Sequence, residues 1–325
     1  MGDVASSVVH HPSPAPPVAD IGAELRARLA RELRDGFVSR AIELPLGSQE
    51  ALARVAYLCR LRGSTRNEIA RAAAADASFA ATLLRIANSA ASASRYPITD
   101  LPAAVTRLGT RMVGMLAVAA PTLRLLAAEN DDLVAVRREI HRHSIRVGVV
   151  ARELAPPSIY AETALAAGLV HNVGLGVISL YGKVGLKRTI ELATPERPFA
   201  EVEPHVFGFT HAELGQLLAR AWKYPDALVV AIGEHDREMP STPLAALVAV
   251  ADLLVRESGV GIEPPCEIGV RLARRAGLDL ERARPKAQRV LQLDAEVGPV
   301  AEASPRDDFS GADLIRAFDT LELAA

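Results

Sequence analysis

Apolar residues recur along this chain at three- and four-residue intervals and almost nowhere alternate with polar ones, which predicts helices throughout and essentially no sheet. Ile21, Leu25, Leu29 and Leu33 form a narrow stripe among Arg and Glu, predicting an amphipathic helix that stops at Gly36. From Leu44 to Asn88 the pattern breaks into short helices. Ser64 with Glu68 predicts one N-terminus, Asp76 or Ser78 the next, and Leu83, Leu84 and Ile86 make that next helix a buried one. Further on, Ile140, Val147, Ala151 and Leu154 share one face, and His143 falls on it, one turn from both Ile140 and Val147. Leu214, Leu217, Leu218 and Ala221 make the apolar face of a helix opened by His211. A helix from Pro225 ends at His235-Asp236, and a very apolar one from Leu244 to Val255 carries Asp252. Helical patterns resume at Ile268 to Arg275, Leu280 to Leu293 and Ser310 to Phe318.

Composition sharpens this picture. The 325 residues are 50% hydrophobic but only 4% aromatic, and Ala and Leu supply most of the apolar share, which favours helix over strand. Pro12, Pro14, Pro16 and Pro17 mark residues 1–20 as a disordered leader. A net charge of −2 leaves no electrostatic footprint for nucleic acid or an anionic membrane. The apolar stretch from Leu101 to Ala128 is interrupted by Arg107, Arg111, Pro121 and Arg124, which argues against a membrane span. Two cysteines without Cys-x-x-Cys spacing, and no visible signal peptide, suit a reducing cytoplasm. The segment from Thr65 to Ser78 imitates a helix-turn-helix, yet its second helix offers Phe79, Leu83, Leu84 and Ile86 around one Arg85, and its turn lacks glycine. Lys183, Lys187 and Arg188 could meet a phosphate or simply form a solvated helix face.

The chemistry gathers around Thr163-Ala-Leu-Ala-Ala-Gly168-Leu-Val-His171-Asn172-Val-Gly174, an apolar, small-residue stretch with an imidazole and a carboxamide side by side. Its small residues predict a close helix neighbour. An inward histidine such as His143 is by itself an ordinary hydrogen-bonded core residue. Asp252, in so apolar a helix, needs a partner because an unpaired buried carboxylate is costly.

The run Leu83-Leu-Arg-Ile-Ala-Asn88-Ser89, then Gly168-Leu-Val-His171-Asn172-Val-Gly174, Phe207-Gly208-Phe-Thr-His211-Ala-Glu213-Leu-Gly215, Trp222, Pro225 and His235 resemble the HDOD family, the HD-related output domains of bacterial signalling proteins. The resemblance covers roughly Leu44 to Leu254. It implies an all-α fold, a multi-helix HD-like bundle with a helical N-terminal lobe, used for signalling. The organisation expected is a leader at 1–20, an amphipathic helix at 21–36, an HDOD-like domain at 37–256 and a C-terminal helical extension at 257–325. Within that domain the lobe covers about 37–128 and the bundle about 129–256. His143, His171, His211, His235 and Asp252 then occur in the order that metal-binding HD proteins use for their ligands, with Asn172 where those enzymes have an aspartate.

A neutral amide oxygen carries no charge to offset two closely spaced dications, so a binuclear hydrolytic centre is not expected. The expectation is a non-catalytic signalling protein with a degenerate HD site of His143, His171, Asn172, His211, His235 and Asp252. No cofactor is expected, beyond a weakly held divalent metal on the four histidines and Asp252. Asn172→Asp should raise metal affinity. The partner would be a signalling protein in trans, or a second copy, met through the Ile21 to Leu33 helix with its Leu25 and Leu29, or through the lobe around Leu44 to Asn88. The alternatives are a metal-dependent phosphohydrolase or phosphodiesterase acting on a nucleotide, and a nucleotide sensor without turnover.

Overall fold

A computed structural model describes residues 21–44, 48–88, 97–127 and 132–296, the side chains of 21–26 and 293–296 excepted. The expected leader at 1–20 and the helix from Ser310 to Phe318 lie outside the described residues. Among those described every regular element is a helix, and the one extended pairing is an isolated bridge between Thr194 and Arg197. The all-α expectation holds.

Helix α1 (Ile21–Ile42) does not stop at Gly36. A glycine inside a helix costs roughly 1 kcal/mol, whereas burying a phenylalanine stabilises by about 1.5–3 kcal/mol. Phe37 and Ala41 are buried, and the Phe37 ring lies 6.2 Å from that of Phe209. Packing therefore carries the helix through. Of the predicted stripe, Leu29 and Leu33 remain 55% and 42% exposed, so the anchored face is a different one.

Helices α2 (Gln49–Arg60), α3 (Arg66–Ala74) and α4 (Ala77–Ala87) pack against α5 (Leu101–Leu126) as an N-terminal lobe. The cap of α3 is Thr65 rather than Ser64, because a glutamate reaches back to the residue three before it, and Glu68 closes a capping box on Thr65. Asp76 caps α4 through the Phe79 amide at 2.9 Å, and also takes a bidentate pair from Arg124 of α5 at 2.6 and 2.8 Å. One carboxylate thus ties two elements together. Phe79, Leu83 and Ile86 face the core, so the apolar side of α4 is spent on packing.

The bundle follows: α6 (Val134–Leu154), α7 (Ala161–Val170), α8 (Val173–Tyr181), α9 (Lys183–Leu192), α10 (Phe199–Val206), α11 (His211–Ala221), α12 (Asp226–Glu234) and α13 (Pro243–Glu257). Two glycine crossings position the site. A Cβ on Gly168 would stand 2.4 Å from the Gly148 Cα, so α6 and α7 touch backbone to backbone, as the small residues before His171 predicted. A Cβ on Gly174 would stand 2.0 Å from the His211 carbonyl oxygen, which locks α8 to the start of α11. Helices α14 (Val270–Arg275) and α15 (Leu280–Glu296) add Leu272, Ala283 and Ala287 to the core around α13. Leu101–Leu126 and Ala161–Tyr181 are long and apolar enough to cross a membrane, yet 61% and 89% of their apolar windows are buried inside this fold.

Candidate functional site

His143 projects inward from the middle of α6, and His171 closes α7 just before Asn172 starts the turn into α8. The Thr210–Glu213 capping box fixes where α11 begins and makes His211 its first residue. His235 ends α12, Asp236 follows it, and Asp252 lies on α13. His143, His171, Asn172, His211, His235 and Asp252 are all buried, and the histidines and Asp252 come together. Their ring centroids run in a chain: His143 to His171 at 5.5 Å, His171 to His235 at 4.9 Å, and His235 to His211 at 5.2 Å.

The four rings share one orientation. Each Nδ1 faces a group that can only accept: Val260 O at 2.9 Å for His143, Gly168 O at 2.7 Å for His171, Ile232 O at 2.8 Å for His235, and the Glu203 carboxylate at 2.9 Å for His211. Every Nδ1 therefore carries a proton, and Nε2 is the atom turned toward the neighbouring site groups. Metal-ligating histidines are oriented in this way.

The carboxylates divide the site in two, each half with three ligating atoms within 4.8 Å of one another. In the first, Asp252 Oδ1 lies 2.7 Å from His143 Nε2 and 3.9 Å from His171 Nε2. In the second, His211 Nε2 lies 3.1 Å from Asp236 Oδ2 and 3.2 Å from His235 Nε2, with 3.7 Å closing the triangle. Glu203 of α10 clamps His211 by accepting from its backbone N–H at 2.7 Å as well as from its ring.

Arg256 joins the halves. Its Nε donates to Asp252 Oδ1 at 3.0 Å, and its Nη2 sits 2.5 Å from Asp252 Oδ2 and 3.6 Å from Asp236 Oδ1. Nη1 reaches Glu263 at 3.1 Å. Charge settles accordingly. Burial disfavours ionised Asp252, yet Arg256 and His143 overcome it and hold the carboxyl well below the usual carboxylate range. Burial likewise opposes ionisation of Asp236, and His235, His211 and Arg256 outweigh it. Burial pushes Glu263 up to about 8 and drives both His171 and His235 below their ordinary value. His211 goes the other way: although burial works against its charge, Glu203 and Asp236 raise it to about 10.

A cation's fit follows from this geometry. Ligand atoms about 2.1 Å from one tetrahedral ion stand roughly 3.4 Å apart, which matches the His211, His235 and Asp236 triangle. A second ion would meet a committed ligand, since both oxygens of Asp252 are taken by Arg256 and His143. The neutral Asn172 amide oxygen and His171 Nε2 are buried without a hydrogen-bond partner. A cleft of about 320 Å³ reaches the site along His235, Asp236, Asp252, Arg256 and Glu263, between walls that include Pro198, Val270 and Leu272.

Sequence reasoning missed Asp236, Glu203, Glu263 and Arg256. Arg256 had a signal, since it stands four residues after an aspartate that needed a partner, which is one turn along the same face. Asp236 had the weaker signal of adjacency to His235. Nothing in the spacing of Glu203 or Glu263 marks either one.

The HDOD domain family matches residues 47–238, more than half of the chain, and the protein belongs to that family. A curated protein of undescribed function from Treponema pallidum (strain Nichols) is 28% identical over 192 residues, 56% of this chain and 36% of the relative, so the chain spans about a third of that protein's length. Among solved structures, an HDOD domain protein of unknown function from Geobacter sulfurreducens shares the fold with a TM-score of 0.66, at 23% identity over 92% of this chain and 99% of its own. A proposed signal transduction protein from Marinobacter aquaeolei VT8 aligns at 0.66 and 19% identity over 92% and 66%. A proposed phosphohydrolase from Shewanella amazonensis SB2B aligns at 0.61 and 19% over 87% and 97%.

Proposed function

We propose that this HDOD protein is a non-catalytic, cytoplasmic regulatory protein that acts through contact with a signalling partner, its inherited hydrolase site serving as a buried polar network. The observation that supports this is the state of Asp252: a hydrolase would spend that carboxylate on a metal ion, and here Arg256 and His143 hold both its oxygens. Such a network stabilises because each buried charge meets an opposite one. The contact surface assigned is the outer face of α1, where Leu29 and Leu33 lie exposed beside an Arg28–Glu32 pair. Leu25 precedes them by one turn, its side chain outside those described.

The test has two arms. Wild-type protein with excess Mn²⁺ should hydrolyse neither cyclic dinucleotides nor simple phosphodiesters, and sustained turnover would overthrow the reading. Replacing Leu25 and Leu29 with Asp should abolish association with the partner, or with a second copy, while helical content stays unchanged; surviving association would remove α1 from the mechanism.

A second reading, a nucleotide sensor without turnover, draws support from the cleft that reaches Asp236 and Arg256. In that reading His211, His235 and Asp236 would hold a single divalent ion. The ion would supply a Lewis acid for a phosphate oxygen. Equilibrium dialysis with nucleotides, with and without Zn²⁺, separates the two readings.

A further inference from the structure

We infer that Arg256 is a tethered cation standing where this site would otherwise hold a metal ion, and that its removal converts the Asp252 half into a divalent-metal site. The inference rests on the non-hydrolytic reading above and names the residue responsible for it. A metal centre is a cation ringed by carboxylates and imidazoles. Here the ringed cation is a guanidinium, 2.5–3.0 Å from both oxygens of Asp252, 3.1 Å from Glu263 and 3.6 Å from Asp236, and almost completely buried. An ion approaching Asp252 would meet a fixed positive charge on its ligand's own oxygens. A histidine can yield to a metal by giving up a proton, but an arginine cannot. Meanwhile the rings of His143 and His171 already present Nε2 in the orientation a metal needs, and His171 Nε2 has no hydrogen-bond partner. The imidazole ligands are thus in place, and the guanidinium occupies the remaining one.

This revises what Asn172→Asp alone should do. Returning a carboxylate beside His171 while the guanidinium stays leaves Asp252 committed, so the gain in metal affinity should be small.

The experiment titrates full-length wild type and Arg256→Met with Zn²⁺ and with Mn²⁺ by calorimetry, counts bound metal after dialysis, and records Tm with and without ion. The expected result is an affinity about ten-fold or more tighter in Arg256→Met, from removal of a like charge next to the ligand, with a metal-dependent rise in Tm that wild type lacks. Adding Asp252→Asn to Arg256→Met should cancel the gain, and Arg256→Lys, which keeps a cation, should behave as wild type. Three results would overturn the inference: a folded Arg256→Met that binds no more metal than wild type, an Arg256→Met that stays unfolded at saturating ion, since an ion replacing the guanidinium should restore the fold, or an equal gain from Asn172→Asp alone. None of these touches the wild-type turnover assay, which decides the non-hydrolytic reading separately.

Discussion

The two halves of the site neutralise a buried aspartate by different means. Asp252 is matched first by an arginine four residues further along its own helix, a partner supplied by α13 itself, and then by His143 of α6. Asp236 is matched by His235, His211 and Arg256, and the charge of His211 in turn depends on Glu203 of α10, so several separate elements must be docked before that half balances. The arginine of the first half is locally encoded and permanently charged, while the second half is assembled entirely by tertiary structure. Buried charge is tolerated in both because opposite charge is within hydrogen-bond reach, and the difference lies in what must fold first.

The sharpest way to break the comparison is to remove the permanent cation. Arg256→Met should destabilise the protein by about 3–5 kcal/mol, since it leaves Asp252 buried with less than its complement of charge; urea unfolding measures it. Much of that loss should return in Arg256→Met with Asp252→Asn. Glu203→Gln in the other half should cost less, about 1.5–3 kcal/mol, the range for a hydrogen bond to a charged group. A loss larger than that of Arg256→Met would reverse the ranking of the halves.

A smaller effect is expected outside the site, at the Asp76–Arg124 pair, where the arginine side chain is 19% exposed. Burial works against ionised Asp76, but Arg124 and the amides of Phe79 and Ser48 hold its carboxyl below the usual value. Because the folded value lies below the unfolded one, the pair's contribution is present above the ordinary aspartate range and is lost as pH falls through the folded value. Asp76→Asn should cost about 1–2 kcal/mol at pH 7 and flatten the acid limb of a Tm-versus-pH curve; an unchanged acid limb would show that the pair contributes nothing. The smallest effect on stability belongs to Leu29→Asp, within about 0.5 kcal/mol, as expected of an exposed position.

The helical fold was legible because helical periodicity survives wherever a helix has a core-facing side, and every histidine of the site sits on such a face or at a helix end. The stop at Gly36 was misread because a local propensity was outweighed by Phe37 and Ala41, whose burial is a tertiary fact. The same distinction runs through the site. Arg256 was readable from Asp252 by helix spacing alone. Glu203 was not, since it meets His211 only because Phe199–Val206 folds back over the start of the next helix.

The shared orientation of the imidazoles also makes them reporters. In nitrogen-resolved NMR, His171 and His235, each with Nδ1 tied to the carbonyl three residues back, should show a pyrrole-type Nδ1 and a pyridine-type Nε2. His211, held charged between Glu203 and Asp236, should show two pyrrole-type nitrogens instead. The site thereby carries its own isotope-readable record of which atoms hold protons, and any cation that entered would first be seen as a change in the Nε2 resonances.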